Sequence, residues 1–157
     1  MKHCPELNLP RFECSFKQEK GKDYIFDVFR KKWLMLTPEE WVRQQLLLYL
    51  HYGLGYPMQN IVLEKQIEIN QLKKRFDALV TGPGGRVLML IECKKPGVEL
   101  DERSFLQLAH YNSLIHAETI LMSNGMRHIP CLVNQAESRL DFLDHLPEYA
   151  ELINKLP

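Results

Sequence analysis

The sequence has no paired cysteines, no long apolar run, no excess of either charge and no phosphate-loop motif. Each absence removes a class of protein. Cys4, Cys14, Cys93 and Cys131 stand singly, without a CxxC pair, which argues against a structural zinc site. The start, Met-Lys-His-Cys-Pro-Glu, lacks the apolar stretch of a secretory leader, so free thiols in a cytoplasmic protein are expected. The apolar runs are far too short to span a bilayer, and no membrane partner is expected. Lys plus Arg total 20 and Asp plus Glu total 20. That balance argues against broad, non-specific nucleic-acid binding but permits a local basic patch. Basic clusters do occur at Arg30-Lys31-Lys32, Lys73-Lys74-Arg75 and Lys94-Lys95. Without GxxxxGK(S/T), no ATP site is expected in this chain. Internal repeats and low-complexity segments are also missing.

What remains suits one domain. The chain has 157 residues, 45% apolar and 25% charged, enough to bury a core. Residues 1–23 read as an amino-terminal arm with a short strand near Phe12–Phe16, residues 24–134 as the core, and residues 140–157 as a helical tail. Tyr24–Leu36 suggests one or two strands. Thr37-Pro38-Glu39-Glu40 opens a helix, with Thr37 as N-cap, Pro38 in the first turn and Glu40 completing a capping box. Ile61–Ile69, Lys73–Thr81 and Val87–Lys94 read as three consecutive strands of a meander, the last apolar like a buried central strand. Asp101 can cap a second helix, and Thr119–Ser123 and Met126–Val133 flank the turn dipeptide Asn124-Gly125. This order favours an α/β (α+β) sandwich around a mixed sheet.

The chemistry concentrates at Arg75-Phe76-Asp77 and at the strand ending Glu92-Cys93-Lys94. Period-two geometry puts Glu92 and Lys94 on one face. If Gly82–Gly85 makes a hairpin turn, Asp77 comes beside Glu92. Two adjacent carboxylates repel, and a divalent cation with a preference for oxygen would relieve them. Phosphodiester hydrolysis uses such an arrangement, because a metal neutralises phosphate charge and acidifies water. The competing reading is a structural ion pair at a sheet end. For Glu40 it is the capping box alone, and for Lys74 and Arg75 a solvated sheet edge.

An acid on one strand followed by an apolar strand ending Glu-x-Lys resembles the PD-(D/E)xK nuclease superfamily. The branch it most resembles is the amino-terminal nuclease domain of type I restriction-enzyme R subunits. Thr37-Pro38-Glu39-Glu40-Trp41-Val42-Arg43-Gln44 is similar to that branch's first helix, and Gln107-Leu108-Ala109-His110-Tyr111 to the Gln-x-x-x-Tyr motif of related nucleases. Ser123-Asn124-Gly125 is similar to its strand-end turn. Phe76 departs from the name-giving proline. The resemblance spans roughly residues 24–134 and implies a restriction-endonuclease-like mixed β-sheet flanked by helices.

It further implies a Mg2+-dependent endonuclease, with Mn2+ able to substitute, acting on DNA or, alternatively, RNA in a restriction, defence or repair system. Asp77, Glu92, the Cys93 backbone carbonyl and Glu40 would ligate the metal. Lys94 would assist the attacking water, and Gln107 and Tyr111 would flank the site. Lys95, Arg43, Lys74 and Arg75 are the candidate nucleic-acid contacts, Arg43 also being able to pair with Glu39 or Glu40. The alternative is a non-catalytic nucleic-acid-binding or assembly module of a larger restriction-type complex, with a partner chain or a second copy.

Overall fold

The computed structural model describes residues 4–69 and 71–154. Residues 1–3 of the expected arm, Asn70 of the expected polar turn and residues 155–157 of the expected tail lie outside them. Strands β1 (Phe16–Glu19), β2 (Lys22–Asp27) and β3 (Lys32–Met35) form an antiparallel sheet in that order. The aromatic run Tyr24–Leu36 therefore folds back on itself, and the short strand of the arm starts at Phe16 rather than Phe12.

Helix α1 (Pro38–Leu48) begins where its signals put it: Thr37 Oγ1 accepts the Glu40 N–H at 3.0 Å. Trp41 packs with Ile25 and Leu36 toward the three-stranded sheet. Val42, Leu46 and Leu47 pack into the larger core on the other side. Covered from two sides, α1 is a core helix rather than an amphipathic surface one.

The chain continues through β4 (Ile61–Leu63), β5 (Gln66–Ile69), β6 (Leu72–Arg75), β7 (Ala78–Thr81) and β8 (Val87–Cys93). Then come α2 (Glu102–Ile115), β9 (Thr119–Ser123), β10 (His128–Asn134), β11 (Arg139–Phe142) and α3 (Tyr149–Asn154). Six strands pair in the order β11-β10-β9-β8-β7-β4. The expected three-strand meander is interrupted. β4, β7 and β8 do run antiparallel, but β5 and β6 pair only with each other. The first long run breaks at Glu64, which has a φ of 53°, and the second at Phe76 and Asp77. Pairing across the breaks survives, because the Glu64 N–H donates to the Asp77 carbonyl and the Phe76 N–H to the Lys65 carbonyl, each at 3.1 Å. The expected helical tail over residues 140–157 begins instead as a strand: β11 pairs with β10 at one edge of the sheet, and among the described residues of the tail only Tyr149–Asn154 is helical.

β8 and β9 are parallel and are joined through α2, since a parallel pair needs a long crossover. Side chains alternate across the sheet. Ala78 and Val80 of β7, Met89, Ile91 and Cys93 of β8, and Leu121 of β9 join the core of α1 and of Leu152 in α3. Leu79, Leu90, Ile120 and Met122 join Phe105 and Leu108 of α2 on the opposite face. Each fully buried aliphatic side chain contributes about 1.5–3 kcal/mol of transfer free energy. The fold is α/β (α+β), a restriction-endonuclease-like mixed sheet flanked by helices. Among the described residues no helix is long and apolar enough to cross a membrane. All four cysteines are free thiols.

Candidate active site

The alternation that sends Leu90 toward α2 sends Glu92 the same way. Glu92 and Lys94 at the end of β8, Gln107 and Tyr111 of α2, and Lys74 of β6 line one small cleft of about 50 Å³. Gln107 and Tyr111 lie one helical turn apart, so both reach the same wall. Lys94 Nζ donates to Glu92 Oε1 at 3.1 Å, and Lys74 Nζ stands 3.9 Å from the same oxygen. Burial pushes the Glu92 carboxyl above its ordinary value, and the charge of Asp77 adds to that; the two lysines pull it back only in part. Burial pulls the Lys94 ammonium down, but Glu92, with Glu39 and Asp77, together more than offset this and the net shift is upward.

Asp77 occupies the bend before β7. Because Ala78 pairs with Ile91, the next position across from Asp77 is Glu92. Its carboxylate is held from behind the cleft. One oxygen accepts the Cys93 N–H at 2.6 Å, and the other accepts from Arg43 Nη1 at 3.0 Å. Among the described residues no group of three or more His, Cys, Asp or Glu side chains is disposed to hold a metal ion.

Arg43 belongs to a chain of charges that sequence reasoning did not assemble. It also pairs with Glu40. Glu40 in turn accepts from Arg30 at 2.8 Å and from Gln44 at 2.9 Å. Its carboxylate thus points to arginines, whereas a capping box would turn it back to the helix start. Arg30 pairs with Asp27 and, at 2.5 Å, with Glu64. Asp27 is only 1% exposed and closes a tight turn by accepting the Phe29 and Arg30 N–H groups. Asp27, Arg30 and Glu64 were missed as part of the site's surroundings. The available signal was an acid ending a half-buried strand with an arginine three residues on.

The four expected nucleic-acid contacts fall in different places. Lys74 lies in the cleft. Lys95 is exposed just beyond the end of β8. Arg75 is exposed and pairs with Glu64 at 3.1 Å. Arg43, its side chain 11% exposed, is engaged by Glu40 and Asp77.

A mixed sheet carrying a charged cleft at the end of a central strand, with a helix lending a Gln and a Tyr, defines a restriction-endonuclease-like domain. The sequence model for the type I restriction enzyme R protein N terminus (HSDR_N) matches residues 38–147, and the chain belongs to that family. The fold is similar to a solved fragment assigned as the HsdR subunit of a type I restriction enzyme from Vibrio vulnificus YJ016. The TM-score is 0.57 at 15% identity, over 76% of this chain. The match takes in 25% of that chain's length, so the protein corresponds to about a quarter of it. A search of curated proteins gave no match.

Proposed function

We propose that this chain is a Mg2+-dependent nuclease of the PD-(D/E)xK type that hydrolyses DNA phosphodiester bonds within a restriction system. The observation that carries the reading is the convergence of Glu92, Lys94, Gln107 and Tyr111 on one cleft, with Asp77 opposite Glu92. The donor set suits magnesium, which takes one or two carboxylates and completes its shell with water and substrate phosphate. Asp77, Glu92 and the Cys93 carbonyl would hold it, and Mn2+ would substitute. Burial raises the Glu92 carboxyl and repulsion from Asp77 adds to it; a cation would relieve the second of these.

When bound, the metal supplies charge neutralisation and acidification of water. The chain's own groups do the rest. Lys94, its ammonium shifted upward, stays protonated at neutral pH. Its role is therefore to hold the attacking water and stabilise charge growing on phosphate, rather than to remove a proton. Gln107 and Tyr111 orient the phosphate from the α2 side. Glu40, whose oxygens already accept from two arginines and Gln44, positions Arg43, which in turn positions Asp77. Lys95 and Arg75 contact the backbone of the substrate from the rim.

The test is cleavage of single- and double-stranded DNA and of RNA with Mg2+ or Mn2+. Wild type should cut, while Asp77→Ala and Lys94→Ala should not, with unchanged circular dichroism. If wild type cuts no substrate with either metal, the enzymatic reading fails. A second reading is a non-catalytic nucleic-acid-binding or assembly module of a longer R protein. The observation favouring it is the hold of Arg43 on Asp77. Salt-dependent DNA binding that survives Glu92→Ala, without cleavage, would select it.

A further inference from the structure

We propose that Lys74 is a second phosphate-holding cation of the cleft, facing Lys94 across Glu92. The inference rests on the nuclease reading and adds to it a residue from outside the Glu-x-Lys strand.

Three observations single out Lys74. First, it is the member of the basic run Lys73-Lys74-Arg75 that turns inward. Lys73 and Arg75 are exposed, whereas Lys74 is half-buried and lines the cleft with Glu92, Lys94, Gln107 and Tyr111. Strand alternation makes this choice, since neighbours on β6 point to opposite faces. Second, its ammonium is oriented. Nζ lies 5.2 Å from the Tyr111 ring centroid and 5.7 Å from that of Phe76, close enough for the ring faces to attract it. Third, donors crowd the cleft. Two ammonium groups, Lys74 and Lys94, share the one carboxylate that lines it, Glu92. Two cations with further donors from Gln107 and Tyr111 suit a phosphate diester. Both ammonium groups lie within reach of one Glu92 oxygen, and both would be available to phosphate oxygens if that carboxylate held a cation.

Lys74 also differs in origin from the other cleft residues. It comes from β6, which pairs with β5 alone, while Lys94 comes from the end of the central strand β8. The phosphate is thereby gripped from two different strands.

The experiment compares wild type with Lys74→Gln, Lys74→Arg and, as a control, Lys73→Gln. It measures kcat and KM on DNA with Mg2+, DNA affinity from 50 to 200 mM salt without metal, and thermal midpoint. Lys74→Gln should lower kcat/KM by about tenfold or more and reduce the slope of log affinity against log salt by about one. Lys74→Arg should recover most of the affinity, and Lys73→Gln should keep kcat within about twofold of wild type. The proposal is overturned if Lys74→Gln changes only the thermal midpoint, leaving kinetics and salt slope intact. If wild type proves unable to cleave, the nuclease reading falls. The salt slope then decides for Lys74 alone, an unchanged slope rejecting it and a reduced slope upholding it.

Discussion

Arg43 donates to Asp77 at 3.0 Å across more than thirty positions of sequence, joining the first core helix to the acid that precedes β7. The other Asp77 oxygen accepts a backbone N–H from the strand bearing Glu92. Asp77 is therefore aimed by two elements at once.

Removing Arg43 takes one cation from Glu40, which keeps Arg30 and Gln44, and leaves Asp77 with the Cys93 N–H alone. The cost should therefore fall below that of a fully stranded buried partner, about 3–5 kcal/mol. Arg43→Gln should lower the urea midpoint accordingly, with little change in slope. A variant as stable as wild type would mean that these pairs hold nothing together.

Glu92 should behave in the opposite sense. Its ionised form is disfavoured by burial and by Asp77, so the group costs stability at neutral pH. Glu92→Gln should melt at or above the wild-type temperature in chelator, while any metal-dependent cleavage disappears. A marked drop in melting temperature would show that Glu92 serves the fold rather than the cleft.

His128 gives a pH dependence with a definite sign. Nε2 donates to the Asn8 carbonyl at 2.9 Å, so Nδ1 is the acceptor for the Ser123 hydroxyl at 2.8 Å. Burial holds its pKa below the ordinary 6.5. The unfolded chain then binds more protons than the folded one between the folded value and 6.5, so stability falls as pH falls through that window. Melting temperature should drop from pH 7.5 to pH 5.5 by more in wild type than in His128→Gln. Equal drops would place the titrating group elsewhere.

The elements that were legible in the sequence are those written in local signals. Thr37 with Pro38 set the start of α1, Asp101 caps α2 by accepting the Ser104 N–H at 2.7 Å, and Asn124-Gly125 turns β9 into β10. The Glu92, Lys94, Gln107 and Tyr111 cleft was legible too, because period two in a strand and one turn of helix are local geometry. What stayed hidden is set by distant partners. Nothing near Glu64 announces that the strand must break so that its carboxylate can meet Arg30 and Arg75. Likewise Glu40 carries a sound capping signal, yet its carboxylate is claimed by Arg30 from the turn between β2 and β3.

The parallel pairing of β8 with β9 bears on how this protein acquires its shape. No local turn can set that register; the whole of α2 must be threaded back first, and non-local closures of this kind slow folding. Until it closes, the apolar run Val87–Ile91 presents an unpaired edge that other chains can join. Aggregation during refolding should therefore fall as protein concentration is lowered, and variants that weaken α2 should lengthen the vulnerable interval.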